Sequence, residues 1–469
     1  MLKVMFIDAV NYEKYGETET FLPTLGLGYL ASSLRKEFGH NHIEIKIVQR
    51  DIEQEISKFG PDIVGITSVS KNYNRAIRYA RIAKEYGLPV IMGGMHISLL
   101  ASTLTSDMDV GVIGEGEETV VDLVKLFCDK GNFDWNELEN IDGVAFKRDD
   151  KLIVTNKRKL IEPLDSVPMP ARDLFTINEF TYMFTSRGCP YRCTFCSSTR
   201  FWDKVRLFSA EYVVNEIEYL IKEHNVRKIG LWDDLFIVSK ARVRQIADLL
   251  EKKDILGKVS FHIEARSNLV DNELAQLLKQ MNVTEVSMGL ESGCPTTLEY
   301  LKGRDVSIDD HINAINILRN HGIKPGGSFI IGSPKESRED ILQTLRFIKE
   351  NQLAANFMVF VLTPFPGTPV WDYAKSRDLV SDDMDWDALD VSLDSGKEKA
   401  VILSENLTRD QIYELFLMFG KERVKIMFRK GQLKVLSKET IRVALRNPLM
   451  IPGALLSAFM ARVLRRNMI

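Results

Sequence analysis

The chain has 469 residues, of which 45% are apolar and 27% are charged, and its formal net charge is −3. This composition is typical of a globular protein, and the near-balanced charge excludes a nucleic-acid-binding polycation. Five cysteines without regular spacing argue against a secreted disulfide framework, and no run of about 18 apolar residues is present to span a membrane. We therefore expect a cytoplasmic protein with several domains.

Residues 1–145 alternate short apolar runs with amphipathic stretches. The apolar runs predict five mostly buried strands, at residues 3–8, 43–48, 62–68, 89–94 and 109–114. The first run lacks the features of a signal peptide and is interpreted as a strand. Strands that alternate with helices predict a doubly wound, Rossmann-like α/β domain, which binds ligands at the carboxyl ends of its strands.

Three prolines between residues 163 and 170 predict an extended linker over residues 146–180. Strands and helices alternate again over residues 181–385. Six strands are predicted there, at residues 181–186, 228–234, 259–265, 285–292, 326–333 and 356–364. Because a closed barrel of this type needs eight repeats, we expect an open, partial (β/α)6 TIM-type barrel.

Residues 386–469 predict a helical region that ends in a basic, amphipathic tail. The arginines of this tail are Arg442, Arg446, Arg462, Arg465 and Arg466. Such a segment is typical of peripheral contact with the anionic inner face of a membrane, which would favour a lipid-like substrate. A helical cap packed on the barrel is the alternative.

Three cysteines, Cys189, Cys193 and Cys196, form a C-x3-C-x2-C motif after the first predicted barrel strand. A structural zinc ion needs four ligands, and no second ligand pair is close in sequence. A [4Fe–4S] cluster usually binds four thiolates, so three would leave one iron open for a substrate or cofactor. The motif therefore predicts an iron–sulfur cluster with an open site, while Cys128 is interpreted as a core residue on the apolar face of a helix and Cys294 as structural.

This motif, with Phe195 before its last cysteine, resembles that of the radical S-adenosylmethionine (SAM) superfamily. The resemblance implies that the open iron binds SAM, whose reductive cleavage gives a 5′-deoxyadenosyl radical. It also implies an external one-electron reductant of the flavodoxin or ferredoxin type. The SAM contacts it implies are Phe195, Asp233, Asp234, Arg266, Ser267, Glu291 and Ser292. For one of the two aspartates, capping of the helix over residues 239–253 is the alternative.

The first domain resembles the cobalamin (B12)-binding domain that precedes the barrel in one branch of this superfamily. The resemblance lies in the segments "LPTLGLGYLASSLR", "PDIVGITSVS", "VIMGGMH" and "VIGEGEET". The cobalamin contacts it implies are Leu25, Gly26, Ser68, Ser70, Gly93, Gly94, His96, Gly114 and Glu115. Many such domains bind cobalt from below through the histidine of D-x-H-x-x-G, but here Asp51 has no such histidine after it. A domain that has lost cobalamin therefore stays an alternative, with the glycines as turn formers.

That branch includes radical SAM methyltransferases and the anaerobic magnesium-protoporphyrin cyclase group. The resemblance thus implies an enzyme that methylates an unactivated carbon of a small or lipid-like substrate. The same radical start followed by oxidative cyclisation, ring rearrangement or carbon–carbon coupling is the alternative. A non-catalytic cobalamin or iron–sulfur sensor is a more remote one, because the sequence shows no DNA-binding motif and we expect no nucleic-acid partner.

Overall fold

A computed structural model describes residues 1–9, 22–353, 357–393 and 398–429. The predicted basic tail, at residues 430–469, lies outside the described residues. The chain divides into two compact units, of which the first comprises Met1–Ala265, Asp271–Glu285 and Pro364–Leu389. The second comprises Arg266–Val270, Val286–Thr363 and the described part of Asp390–Ile469. None of the helices in the described ranges has the length and apolar character needed to cross a membrane.

The first unit contains a seven-stranded sheet with the strand order β2-β1-β3-β4-β5-β6-β7. The strands are β1 (Leu2–Asp8), β2 (Ile43–Val48), β3 (Ile63–Thr67), β4 (Val90–Gly93), β5 (Val110–Val112), β6 (Val144–Arg148) and β7 (Lys151–Val154). The first five are parallel, which confirms the predicted doubly wound domain. Its strand order reverses at β1 and β3, where such folds open a ligand crevice.

The last two strands of this sheet, β6 and β7, are antiparallel additions that the sequence analysis did not predict. They are joined at Asp149 and Asp150, whose φ angles are +50° and +59°. Two successive residues with positive φ form a hairpin turn whose twist matches that of the strands. Aspartate tolerates this conformation better than most side chains do, so the hairpin forms without glycine.

Within the described residues, six helices lie between these strands. They are α1 (Leu25–Phe38), α2 (Ile52–Phe59), α3 (Tyr73–Glu85), α4 (Met95–Leu99), α5 (Glu117–Lys130) and α6 (Trp135–Leu138). Leu27, Ala31 and Leu34 recur at helical spacing along α1 and are buried in the core with Val120 and Leu123 of α5. This apolar stripe packs α1 against the sheet and so places its first turn at the carboxyl edge of the strands.

A second sheet has six strands, with the order β15-β14-β13-β12-β11-β8. The strands after β7 are β8 (Phe180–Met183), β9 (Ser186–Arg187), β10 (Arg206–Leu207), β11 (Lys228–Leu231), β12 (Ser260–Ala265), β13 (Val283–Glu291), β14 (Lys324–Ile331) and β15 (Phe357–Val361). β9 and β10 pair only with each other, as an antiparallel ribbon. The six strands follow chain order across the sheet, which confirms the predicted open half-barrel.

The remaining helices follow these strands. In the first unit they are α7 (Ser198–Phe201), α8 (Ala210–His224), α9 (Lys240–Lys252), α10 (Asn272–Gln280) and α14 (Pro369–Lys375). In the second unit they are α11 (Pro295–Lys302), α12 (Ile308–Asn320), α13 (Arg338–Glu350) and α15 (Arg409–Arg429). Side-chain caps define several of their starts: Ser307 and Ser337 form capping boxes with Asp310 and Asp340.

Candidate functional site

The loop that carries the three cysteines, residues 188–205, leaves from and returns to the two-stranded ribbon. Arg187 of β9 lies directly opposite Arg206 of β10, so the two ends of this cysteine loop are neighbours. Gly188 opens the loop with a φ of +93°, and a Cβ atom there would lie 2.7 Å from the carbonyl oxygen of Lys204. The loop is therefore closed at its base, and only glycine fits its first position.

The thiols of Cys189, Cys193 and Cys196 are half-buried, and none of them forms a disulfide. Burial raises the pKa of Cys189 to about 11 and also raises the pKa of Cys196. Metal ligation requires thiolates, so iron would displace protons that these thiols otherwise retain. Three cysteines that form no disulfide on one short loop match the donor chemistry of an iron–sulfur cluster.

No set of three or more His, Cys, Asp or Glu side chains within the described ranges is arranged around a single metal ion. A cubane cluster does not require such an arrangement, because its cysteine ligands bind different irons. The predicted cluster ligation by the three cysteines stays a prediction.

Two aspartates, Asp233 and Asp234, follow the end of β11. The buried Asp233 carboxylate accepts hydrogen bonds from the backbone N–H groups of Thr185 (2.5 Å) and Ser186 (3.1 Å), and from the Thr185 hydroxyl. Burial raises the pKa of Asp233 above its usual value, although these hydrogen bonds lower it in part. This carboxylate therefore ties β11 to the segment that leads into the cysteine loop.

Asp234 is exposed and contacts one residue before the three cysteines and one residue after them. Its carboxylate accepts hydrogen bonds from the backbone N–H of Gly188 (3.1 Å) and from the hydroxyl of Ser198. Neither aspartate caps the next helix, because Ser239 is the N-cap of α9 and accepts from the backbone N–H of Arg242. The predicted SAM contacts of Phe195, Asp233 and Asp234 stay predictions.

A cavity of about 380 Å³ lies at the carboxyl ends of β1, β3 and β4 and is also lined by residues of the cysteine loop. Its lining combines glycines of the first domain, aromatic rings and a few polar side chains. The glycines are Gly26, Gly65, Gly93, Gly94, Gly114 and Gly116. The aromatic residues are Phe6, Tyr29, Phe184, Phe201, Trp202 and Trp232. Apolar walls with few polar groups are typical of small-molecule and cofactor sites.

The glycines keep the cavity open at the edge of the first sheet. At Gly94, φ is +98° and a Cβ atom would lie 2.5 Å from the carbonyl oxygen of Ser68, so the neighbouring backbone requires glycine there, whereas at Gly114 a Cβ atom would have no neighbour within 4 Å. At Gly26, in the first turn of α1, a Cβ atom would have no neighbour within 4 Å. A bulky ligand can therefore approach the backbone at this edge, which is the property a cobalamin site needs.

Buried hydroxyl groups provide a second sign of a ligand. The hydroxyls of Tyr29 and Ser186, two cavity-lining residues, have no hydrogen-bond partner within the described part of the chain, and neither does the buried hydroxyl of Ser68. A buried polar group without a partner costs free energy. The residues present therefore fit a polar ligand such as cobalamin at this edge.

The predicted cobalamin residues separate into two groups. Those that line the cavity are Gly26, Gly93, Gly94, Gly114 and Glu115. Those that are not among its lining residues are Leu25, Ser68, Ser70 and His96, and Leu25 belongs to the buried core. Tyr29 was not predicted as a site residue, although it lies three residues after Gly26 and so on the same face of α1. The contacts with cobalamin themselves stay predictions.

His96 is fully buried and engaged on both ring nitrogens. Nδ1 lies 3.0 Å from the Ser70 hydroxyl and Nε2 lies 3.0 Å from the Thr103 hydroxyl. The ring packs against Tyr73 and Trp386, with centroid distances of 3.8 and 4.4 Å. Burial lowers the pKa of His96 to about 3, so the ring is neutral. These contacts favour a packing role over a contact with cobalamin.

We expect His96 to make the folded chain acid-sensitive. Its pKa is about 6.5 in the unfolded chain and about 3 in the folded one, so stability is present above about pH 6.5 and is lost as the pH falls below it. Between about pH 6.5 and 5 the loss is up to about 2 kcal/mol. Thermal denaturation across this range should therefore show a steeper acid loss for the wild type than for His96→Gln. His40→Gln, at an exposed histidine, should retain the wild-type slope; equal slopes in all three proteins would contradict the assignment.

Four of the predicted SAM residues belong to the second unit. The two serines among them form hydrogen bonds with other residues of this unit. The hydroxyl of Ser267 lies 2.7 Å from Nδ1 of His311, whose Nε2 is 2.9 Å from the carbonyl oxygen of Leu290. The Ser292 hydroxyl lies 3.1 Å from that of Thr344. The helical pattern around His311 did not predict its hydrogen bond with Ser267, because helical periodicity does not identify partners that are distant in sequence.

Glu291 and Arg266 are the charged members of this group. Glu291 has a φ of +61°, and its Oε1 atom lies 3.8 Å from Nζ of Lys302. Burial raises the pKa of Glu291 above its usual value, although the positive charges of Lys302 and Arg266 lower it in part. Non-glycine residues in this conformation are strained and concentrate at functional sites. Glu291 therefore remains a candidate SAM contact, together with Arg266.

Cys294 lies in the same unit and is buried. Its Sγ atom lies 3.2 Å from the Asp340 carboxylate, to which it donates. This hydrogen bond agrees with a structural role. The prediction that Cys128 is a core residue was wrong, because Cys128 is exposed near the end of α5.

Comparisons with known proteins match two domain families to the chain. The Radical SAM superfamily matches residues 183–348, and the B12 binding domain matches residues 16–124. An uncharacterized methyltransferase of Pyrococcus horikoshii is 33% identical over 380 residues, which cover 76% of this chain and 80% of the relative. The anaerobic magnesium-protoporphyrin IX monomethyl ester cyclase of Rubrivivax gelatinosus is 27% identical over 386 residues, which cover 78% of this chain and 69% of the cyclase.

Solved structures share this architecture. The radical SAM methyltransferase TsrM of Kitasatospora setae, solved with cobalamin and a [4Fe–4S] cluster, superposes with a TM-score of 0.65 at 17% identity. The match covers 81% of this chain and 79% of that structure. At this identity the likeness shows a common fold.

Proposed function

The chain belongs to the B12-binding radical SAM enzymes, and from that premise we propose that it methylates an unactivated carbon of a small or lipid-like substrate. The observation that carries the proposal is the single cavity that is lined both by the glycine edge of the first sheet and by residues of the cysteine loop. Methyl transfer to a carbon radical needs the two cofactor sites to share one enclosed space. A cavity with this lining supports that requirement.

The cofactors of this enzyme family are a [4Fe–4S] cluster, SAM and cobalamin, and its members act on small molecules and require a reductant. In our proposal Cys189, Cys193 and Cys196 hold the cluster, while Gly26 and Gly94 admit cobalamin to the backbone of the first domain. When bound, these groups supply a 5′-deoxyadenosyl radical and a transferable methyl group. The side chains of the protein orient the cofactors and the substrate and exclude water.

The side chains of the cavity suit that task. Phe184, Phe201, Trp202 and Trp232 supply an aromatic wall, which would exclude water from a carbon radical and pack against an apolar substrate. Among the polar residues of the lining, Asp234 is held by the start of the cysteine loop and can orient a cofactor or substrate. This combination supports a carbon-centred reaction on an apolar molecule.

A second candidate keeps the radical start but ends in oxidative cyclisation, ring rearrangement or carbon–carbon coupling. The similarity to the magnesium-protoporphyrin cyclase favours it. In either case we propose a flavodoxin or ferredoxin as electron donor and a cytoplasmic location. Contact of the basic tail with the inner face of the membrane belongs to the same proposal.

Anaerobic reconstitution with iron, sulfide and hydroxocobalamin tests the proposal. We expect about four irons and one cobalt per chain after desalting. With a strong reductant and SAM, the protein should release 5′-deoxyadenosine, and the bound cobalamin should acquire the absorption spectrum of methylcobalamin. Iron and 5′-deoxyadenosine without methylation of cobalamin would favour the second candidate. Failure to retain iron under conditions that load a known cluster protein would refute both.

A further inference from the structure

We infer that Glu115 is a positioning residue that clamps the base of the cysteine loop, and that it acts on the cluster site and not as a contact of cobalamin. The inference rests on the proposed function in one respect, namely that the cysteine loop holds the cluster. Glu115 lies in the first domain, directly after β5 and before α5. A residue of the cobalamin domain would thus control the geometry of the iron–sulfur site.

One carboxylate binds both ends of the loop. Oε1 of Glu115 accepts a hydrogen bond from Nη1 of Arg187, and Oε2 accepts one from Nη1 of Arg206 at 2.7 Å. Oε2 also accepts from the backbone N–H of Ile161 at 2.9 Å. Arg187 precedes the loop by one residue and Arg206 follows it by one residue, so these contacts hold the points where the loop begins and ends.

The charges explain why a carboxylate is needed there. Arg187 and Arg206 are cross-strand neighbours, and their side chains are only 9% and 3% exposed. Like charges directly opposite each other in a ribbon repel, and burial makes that repulsion stronger. Glu115, itself 3% exposed, contacts both guanidinium groups, and Glu117 binds Arg187 at 2.5 Å, so that two carboxylates balance the two cations. Without Glu115 the two facing cations at the base of the loop would share only the carboxylate of Glu117.

The ionisation of Glu115 agrees with this role. Burial alone would raise its pKa, but the hydrogen bond from Arg206 and the charge of Arg187 outweigh that effect, so the pKa is lowered overall. The carboxylate is therefore ionised, and both of its oxygens are engaged by protein donors. This leaves it poorly suited to accept hydrogen bonds from the amide side chains of a corrin.

The clamp also contacts the cavity wall. The guanidinium groups of Arg187 and Arg206 lie 5.7 and 5.4 Å from the ring centroid of Trp202, within cation–π distance. Trp202 belongs to the cysteine loop and lines the cavity. A ligand that packs on Trp202 would therefore press on the same side chains that hold the loop closed.

The test compares Glu115→Gln with Glu118→Gln, a control at an exposed glutamate of the same segment whose side chain is 56% exposed. Three quantities are measured on the anaerobically reconstituted full chain: iron retained after desalting, the electron paramagnetic resonance spectrum of the reduced cluster with and without SAM, and the dissociation constant for hydroxocobalamin. For Glu115→Gln we expect iron to dissociate about tenfold faster and the SAM-induced spectral change to weaken, as when a residue supporting metal ligands is removed. Its affinity for hydroxocobalamin should stay within about threefold of the wild-type value, a shift below 1 kcal/mol. Glu118→Gln should match the wild type throughout.

The opposite pattern would overturn the inference: an unchanged cluster spectrum together with cobalamin affinity reduced more than about tenfold would make Glu115 a cobalamin contact. Arg206→Lys provides a second variant in case Glu115→Gln does not fold, because Arg206 does not line the cavity and lysine keeps the charge but cannot keep the same hydrogen-bond geometry. It should reproduce the faster iron loss; wild-type iron retention and spectrum in Arg206→Lys would also overturn the inference. If the wild type retains no iron, it is the proposed function that fails.

Discussion

Replacement of Cys193 by alanine should abolish SAM cleavage and leave cobalamin binding intact. Cys193 is the middle cysteine of the loop, and the cluster has three protein ligands in our assignment, so two thiolates would remain for about four irons. We expect bound iron to fall below about one per chain and 5′-deoxyadenosine to fall below detection. Hydroxocobalamin should still bind with wild-type affinity, because Cys193 does not line the cavity.

Cys294→Ala is the matched control for this experiment. Cys294 is buried and donates a hydrogen bond to Asp340, so its loss should lower stability by about 1 kcal/mol and leave iron content unchanged. Iron content and SAM cleavage at wild-type levels in Cys193→Ala would show that the cluster is held elsewhere. A loss of iron in Cys294→Ala would instead assign that cysteine a role at the cluster.

Replacement of Gly26 by phenylalanine should abolish cobalamin binding and leave the iron–sulfur cluster intact. Gly26 lines the cavity, and a Cβ atom there meets no other atom within 4 Å, so a large side chain can enter the open space without strain. A benzyl group occupies volume that the ligand would need. We expect the affinity for hydroxocobalamin to fall at least about a hundredfold, measured by absorption titration, because the ligand cannot approach the backbone. Iron content should equal that of the wild type.

Gly26→Ala separates the effect of bulk from the loss of glycine. The position is helical and has space, so alanine should stabilise α1 by about 0.5–1 kcal/mol and change cobalamin affinity little. Wild-type cobalamin affinity in Gly26→Phe would place the cofactor away from this cavity edge. Together, the Cys193 and Gly26 variants should remove one cofactor each, which a general loss of folding could not produce.

Local patterns in the sequence were sufficient for the fold and for the kind of chemistry. Short apolar runs that alternate with amphipathic stretches predicted the parallel strands of both sheets. They did so because a buried strand requires apolar residues that are neighbours in sequence. The hairpin of β6 and β7 escaped prediction, because its turn uses two aspartates in a conformation that usually signals glycine or asparagine. The three cysteines were found because their spacing is a local property of eight residues.

The roles of individual site residues could not be read in the same way. Asp233 stays a predicted SAM contact, and the sequence did not reveal that its carboxylate accepts hydrogen bonds from Thr185 and Ser186. His96 stays a predicted cobalamin contact, although both of its ring nitrogens lie within hydrogen-bond distance of protein hydroxyls, which favours packing. Only the folded structure identifies these hydrogen-bond partners, since the sequence does not show which groups lie close to a polar side chain.

The sequence by itself determined a doubly wound domain, an open half-barrel and a three-cysteine loop at the end of a strand. Only the tertiary structure decided how these parts are joined, and Glu115 illustrates the reason. It lies 72 residues before Arg187 and 91 residues before Arg206, and no local period relates them. Glu115 contacts the two arginines because the first unit brings the end of β5 in the seven-stranded sheet close to the ribbon of β9 and β10. The buried charges are stable only when this packing brings them together.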